Sequence, residues 1–283
     1  MADKSSIEWT QATWNPTTGC DQTSPGCDHC YALTLSRRLK AMGNPKYQRD
    51  GDSKTSGPGF GLTVHMDQLP LPHRWKTPRL IFVNSMSDLF HPDVPDKFIE
   101  DVFQVMADTP RHTYQVLTKR AQRLSKISPR LPWTKNIWMG VSVESARYSF
   151  RANHLRKVPA SVRFISAEPL LGRLTNLDLS DIDWLIAGGE SGPGARPMHP
   201  TWAKELRDRC NQEGVSFFFK QWGAWVPNLE SGAVPVTIDG AILDAMPKIM
   251  APGAPVKMRR VGKGAAGRTI DGRTWNEMPT TRN

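Results

Sequence analysis

The sequence predicts an α/β protein, a full or partial β/α barrel of parallel strands with an N-terminal cysteine loop and a small C-terminal extension. Three observations predict it. Apolar runs of strand length alternate with segments of helical spacing between Arg79 and Gln221, as in parallel β/α units joined by right-handed crossovers. Each run ends in a polar or charged residue, and a TIM-type barrel turns all such ends toward one mouth. Three cysteines, Cys20, Cys27 and Cys30, follow the first run.

Ile7–Asn15 alternates enough to read as the opening strand, carrying Ile7, Trp9 and Trp14, and stops at Asn15–Pro16. Tyr31–Met42 has helical spacing, with Leu33, Leu35, Leu39 and Met42 inward and Arg37, Arg38 and Lys40 outward. Residues 43–61 are rich in glycine and read as an excursion, a lid or arm. Leu62–His65 is a short strand candidate. Leu80–Asn84 is a buried strand followed by Ser85, Ser87 and Asp88, and Asp96–Met106 is an amphipathic helix. Tyr114–Leu117 leads into Lys119, with a short helix over Ala121–Ile127. Ile137–Val143 carries Ser142 and leads into Glu144, with Arg147–Arg156 helical after it. Arg163–Ala167 ends in Glu168, Trp184–Ala187 in Gly188, Gly189 and Glu190, and Ser216–Phe219 in Lys220. A helix over Trp202–Glu213 separates the last two strands. Altogether about seven β/α units follow the opening strand.

The chain of 283 residues is long enough for one large domain with a tail. No apolar run approaches the roughly 18 residues of a membrane span, and Met1–Asp3 leads straight into polar sequence without a leader pattern. Four cysteines, three of them clustered, point away from a disulfide framework and toward a reducing cytoplasm. The net charge of +10 is concentrated. Residues 111–163 hold twelve Lys/Arg and a single acid, Glu144, so this block carries +11 and the rest of the chain −1. Such a block either tracks phosphates as a nucleic-acid surface or forms solvated helix faces.

The spacing C-x6-C-x2-C puts two thiolates on one turn, and an arm containing Pro25 and Gly26 folds the third over them. Two objects suit this: a tetrahedral zinc, or a [4Fe–4S] cluster with one iron left open. Zinc needs a fourth ligand, for which the sequence offers Cys210 or His29.

A cysteine triad just after the first strand of such a barrel resembles the radical S-adenosylmethionine superfamily. VNSMSDLFHPD, VLTKR and GVSVES are similar to segments of spore photoproduct lyase-type proteins. TWNPTTGC, AEPLLG, GGESG and FFKQWG resemble phage-associated three-cysteine proteins, and the likeness covers most of residues 7–225. The resemblance implies that Cys20, Cys27 and Cys30 hold a [4Fe–4S] cluster whose open iron binds S-adenosylmethionine. One electron, from a donor partner, then cleaves the cofactor to a 5′-deoxyadenosyl radical. It further implies that Ser85, Ser87 and Asp88 lie near the cofactor's amino group, and Ser142 and Glu144 near its ribose and carboxylate. Gly188 and Gly189 would admit the adenine. Glu168, Glu190, Lys119 and Lys220 are the catalytic candidates. The chain departs from the superfamily's C-x3-C-x2-C spacing, and His29 stands where an aromatic residue is usual.

Residue-level alternatives stand beside these roles. Glu168 could instead pair with Arg163 or Arg196, and Cys210 reads as an inert buried thiol in a helix. Phe217, Phe218, Phe219, Trp222 and Trp225 read as core and rim aromatics or as a base-stacking platform. The barrel is expected over residues 1–223, with the cysteine loop at 16–31, and the extension over 224–283 ends in a hairpin turning at Gly272. Two functions remain open: a radical enzyme acting on a nucleic acid or nucleotide, and a zinc-stabilised nucleic-acid-binding protein without catalysis.

Overall fold

A computed structural model describes residues 5–227, 232–246 and 254–280. Met1–Asp3 and parts of the 224–283 extension lie outside the described residues. The chain divides into two compact units. One runs up to Ser142 and includes Arg151–Phe164; the other holds Val143–Phe150 and Ile165–Pro279.

The fold is mixed α/β, with the seven-stranded parallel sheet of a partial TIM-type barrel. Its strands are β1 (Ala12–Trp14), β2 (Leu80–Val83), β3 (Thr113–Thr118), β4 (Ile137–Ser142), β5 (Val162–Ala167), β6 (Trp184–Gly188) and β7 (Ser216–Gln221). Their order in the sheet is their order in the chain. Six strands follow the opening one, against the seven units suggested by the pattern. The helices between them are α1 (Tyr31–Ala41), α2 (Asp96–Asp108), α3 (Ala121–Ile127), α4 (Phe150–Leu155) and α5 (Pro200–Glu213).

In the first unit Trp14 lies opposite Val83, Val83 opposite Val116, and Val116 opposite Met139. Parallel pairing in this register brings the loops after β1, β2 and β3 to one edge. Every residue of β4 is buried, as expected of a strand covered on both faces. The buried face of α2 is Phe98, Ile99, Val102, Phe103 and Met106, the set its spacing predicts.

Three local expectations are corrected. The opening strand covers only Ala12–Trp14, because Thr10 N bonds back to Ile7 O and turns the segment before it. Along α1 the buried residues are Ala32 and Ser36, with Leu33 and Leu39 packed beside them, whereas Leu35 and Met42 are exposed. Small side chains let this helix lie close to Tyr47, Phe60 and Met86. Residues 147–156 break into a 3₁₀ turn at Ala146–Tyr148 and the short α4.

The excursion folds back on the cysteine loop. Thr63–Val64 pairs antiparallel with Thr17–Thr18, Cys20 N donates to Phe60 O, and Gln22 N donates to Thr55 O. In the second unit β6 and β7 run parallel, with Ala187 opposite Phe219 but Gly188 opposite Gln221. The bulge leaves Lys220 out of the ladder and re-aims its side chain.

The described part of the extension forms a small antiparallel sheet of β8 (Trp225–Pro227), β9 (Val234–Val236) and β10 (Val256–Arg260), with β10 central. A hairpin of β11 (Thr269–Ile270) and β12 (Arg273–Thr274) follows. Asp271 and Gly272 both have positive φ, 53° and 76°, as a type I′ turn requires. The chain then runs antiparallel along β7: Phe219 N donates to Trp275 O, and Glu277 N to Phe217 O.

Candidate functional site

The cysteine loop is fixed by backbone before any side chain acts. Gly19 has φ +87°, and a Cβ there would lie 2.4 Å from Gly61 O. Gly19 N donates to Met86 O, which ties the loop to the β2 end. Pro25–Cys27 forms a 3₁₀ turn, Cys30 N donates to Cys27 O, and Cys30 is the N-cap of α1. Cys27 and Cys30 therefore sit on consecutive tight turns, with Cys20 one arm away.

The residue that reaches this loop from elsewhere is Arg120. Its Nη1 donates to Cys20 Sγ at 3.3 Å and to Asp88 Oδ2 at 3.0 Å, and its Nη2 donates to Asp21 O at 3.1 Å. Asp88 organises the turn after β3. Its Oδ1 accepts from Thr118 Oγ1 and Phe90 N, and its Oδ2 also accepts from Lys119 N. The Arg120 and Asp88 side chains are only 11% and 8% exposed. Sequence reasoning placed Arg120 among solvent-facing or phosphate-facing cations; no local pattern marks a contact across 100 residues. Beside it His91, buried, holds Asp21. Asp93 N donates to His91 Nδ1, so the ring proton sits on Nε2 and points at Asp21 Oδ2, 2.9 Å away.

Burial pushes the Cys20 thiol up to about 12, opposed by Arg120. Burial likewise raises Cys30, opposed by the backbone N–H groups of Ala32 and Leu33 and by Lys119. Cys27 acts electrostatically on both, so the three sulfurs share one neighbourhood. Burial also works against the charge on Arg120, but Asp88 and Cys20 outweigh it and raise its pKa. Three thiols on one loop, with a guanidinium and an ammonium acting on them, suit an anionic, thiolate-held group in donor type; among the described residues no three His, Cys, Asp or Glu side chains are grouped closely enough to hold a metal ion.

Of the other candidates in this unit, Ser87 Oγ lies 2.6 Å from Thr17 Oγ1 and donates to Thr17 O. Ser85 Oγ donates to Asn15 Oδ1 at 3.2 Å, and Ser85 O accepts from Tyr31. Ser142 is buried, and its carbonyl accepts from Arg151 Nη1 at 2.8 Å.

The second unit gathers a different set. Lys220 Nζ lies 3.2 Å from Glu168 Oε1, and Ser166 Oγ donates to Glu168 Oε2. Arg196 grips Glu190 through Nη2 at 2.6 Å and through Nε and its backbone N at 2.8 Å each. The expected pairing of Glu168 with Arg163 or Arg196 is thereby corrected: Lys220 takes that place, and Arg163 Nε donates to Val158 O. Glu144 is fully buried, with Leu171 N donating to its carbonyl. Cys210 is buried on α5, as the sequence suggested.

The glycines have local reasons. A Cβ on Gly188 would come within 2.9 Å of Glu168 Oε1, and one on Gly189 within 2.0 Å of Trp222 O. Gly189→Ala should destabilise by about 1–3 kcal/mol, since backbone must move to admit the methyl. Gly172→Ala, whose nearest neighbour would be 3.7 Å away, should stay within about 0.5 kcal/mol. Urea midpoints of the two variants test the contrast.

Several cations of the basic block are tied to groups of this chain, and Arg151 alone is buried. Arg111 donates to the carbonyls of Pro72, His73 and Trp75; Arg123 and Arg130 pair with Asp96. Lys126, Lys135, Arg147 and Lys157 are exposed.

Fold and site together define a parallel β/α protein with three thiols on the loop after its first strand. The chain belongs to the family described as protein of unknown function (DUF5131), whose model matches residues 4–279. No curated protein matches it. Several solved structures of spore photoproduct lyase are similar to it. One variant with bound AdoMet and dinucleoside spore photoproduct has 15% identity and TM-score 0.38, covering 62% of this chain and 55% of that one. A second variant has 15% identity and TM-score 0.44, covering 72% and 74%. A third has 13% identity and TM-score 0.42, covering 92% and 71%. The chain thus spans little more than half of the first of these. Among the described residues, no helix is long and apolar enough to cross a membrane.

Proposed function

We propose that the chain is an iron–sulfur enzyme of the radical S-adenosylmethionine type, with Cys20, Cys27 and Cys30 as ligands of a [4Fe–4S] cluster. The observation that supports this is the set of three thiols on the loop after β1, with Arg120 donating to Cys20 Sγ and Lys119 acting on Cys30. Three thiolates leave one iron of such a cluster open to a small molecule. The zinc alternative needs four ligands on one ion. When bound, the cluster supplies the electron for reductive cleavage of S-adenosylmethionine.

Ser85, Ser87, Ser142, Glu144 and the backbone at Gly188 and Gly189 are the groups we assign to that cofactor, in a barrel spanning 1–223. Asp88 serves it through Arg120, because its carboxylate already accepts four hydrogen bonds. Glu168 and Lys220 are a proton-handling pair at the strand ends, Lys119 sits beside the thiols, and Glu190 braces its loop through Arg196. A one-electron donor protein is the required partner, and the phage-associated resemblance belongs to the same proposal.

The proposed substrate is a nucleic acid or nucleotide. If the exposed cations carry it, affinity falls steeply with salt through counterion release. Replacing Lys126, Lys135, Arg147 and Lys157 by Gln flattens that slope without changing iron content, read by fluorescence anisotropy with a labelled oligonucleotide. An unchanged slope removes the nucleic acid from the proposal. The function itself is tested by anaerobic reconstitution with iron and sulfide, followed by assay for 5′-deoxyadenosine under reducing conditions. Brown protein that forms it is expected; colourless protein with one zinc per chain overturns the proposal.

A further inference from the structure

We infer that Arg120 is a positioning and potential-setting residue: it holds a fixed positive charge and a hydrogen-bond donor against the Cys20 sulfur, with Asp88 as its anchor. The inference rests on the cluster proposed above. It is carried by geometry: one guanidinium nitrogen, Nη1, bonds both Cys20 Sγ at 3.3 Å and Asp88 Oδ2 at 3.0 Å. Each of its two hydrogens is thereby directed, and Nη2 reaches Asp21 O. Four separate points fix the arm. Arg120 N donates to Thr118 Oγ1, Thr118 Oγ1 donates to Asp88 Oδ1, Lys119 N donates to Asp88 Oδ2, and the guanidinium returns to that same carboxylate. A side chain held so firmly, in a site only about a tenth exposed, delivers its charge to one atom rather than to the surface in general.

The chemical consequence follows from charge. Adding one electron to a group held by three thiolates makes an already anionic site more negative. A cation that donates to a ligand sulfur favours the reduced state, because hydrogen bonds to the sulfurs and local charge set the potential of such clusters. The low local dielectric enlarges the effect. The electron itself comes from an external low-potential one-electron donor, and no bond to Arg120 forms or breaks. Asp88 offsets part of the charge but is engaged on the far side of Nη1, so the donor hydrogen toward Cys20 remains.

The test is an EPR-monitored redox titration of the anaerobically reconstituted protein with dithionite and mediators, alongside iron content and a thermal melt. Arg120→Gln combined with Asp88→Asn removes both charges and keeps hydrogen-bonding groups, so no charge is left buried alone. Its midpoint potential should move to more negative values, with the reduced-to-oxidised ratio at fixed potential falling about tenfold, in line with a charge-assisted hydrogen bond. Arg120→Lys keeps the charge near Asp88 but cannot serve Cys20, Asp88 and Asp21 from one planar fork. Its potential should lie between those of the parent and the double variant. If the double variant fails to fold, Arg120→Lys decides alone. A potential equal to that of the parent in a folded, iron-loaded variant overturns the inference and leaves Arg120 a structural brace. Failure of the parent itself to take up iron is a different result and overturns the cluster proposal.

Discussion

Alanine at Cys20, Cys27 or Cys30 leaves the reconstituted protein without iron, whereas alanine at Cys210 leaves it loaded. Three thiolates are the smallest set that holds the proposed cluster and still keeps one iron open, and losing any one leaves two. The three positions lie on turns whose backbone bonds do not depend on the sulfur: Cys20 N to Phe60 O, Cys27 N to Ser24 O and Cys30 N to Cys27 O. The fold should therefore survive each change, and circular dichroism should be unaltered. Cys210 differs in kind. It is fully buried on α5, outside the cysteine loop, and is the one cysteine of the second unit. Iron and acid-labile sulfide per chain, with the visible spectrum, decide the matter. Iron lost from a folded Cys210→Ala variant would make all four cysteines ligands and close the open iron position.

Asp88→Ala should destabilise the first unit by about 3–5 kcal/mol, the cost of removing one partner of a buried ion pair. The charge on Arg120 would remain, about a tenth exposed, with no carboxylate to balance it. Thr118 Oγ1, Phe90 N and Lys119 N would lose an acceptor at the same time. The double change Asp88→Asn with Arg120→Gln should cost much less than Asp88→Ala, because it leaves no lone charge. Denaturant midpoints of the variants without metal test this independently of any cofactor. A loss under about 1 kcal/mol for Asp88→Ala would mean that water reaches the pair and that the turn after β3 holds without it.

The parallel sheet was readable because its strands are nearly continuous apolar runs closed by polar residues. Ala121–Ile127 was found with its true limits, since Ala121, Leu124 and Ile127 mark one face. What stayed hidden depends on distance along the chain or on size. The inward face of α1 is Ala32 and Ser36, which a search for large apolar residues passes over in favour of Leu35 and Met42. Arg120 looked like one cation among many because its partners, Cys20 and Asp88, lie 100 and 32 residues away. The charge excess of residues 111–163 is partly offset from outside that window. Counting inside a window leaves out Asp88, Asp96 and Glu100, which meet Arg120, Arg123 and Arg130 from other elements. The cysteine loop was legible as chemistry, but not its clamp: nothing local says that Phe60 and Thr55 would hold it.

The segment that runs along β7 has a consequence for how the protein is made. Glu277 meets Phe217 across 60 residues, so β7 is synthesised long before its neighbour arrives. Until then one side of SFFFKQ presents unpaired backbone beside three consecutive phenylalanines, a ready template for another copy of the same strand. Pairings across such separations also form slowly. Clipping the chain ahead of Trp275 would restore that exposed edge in the finished protein. Self-association and precipitation, rather than loss of the cysteine site, are the failures to expect from chains cut there.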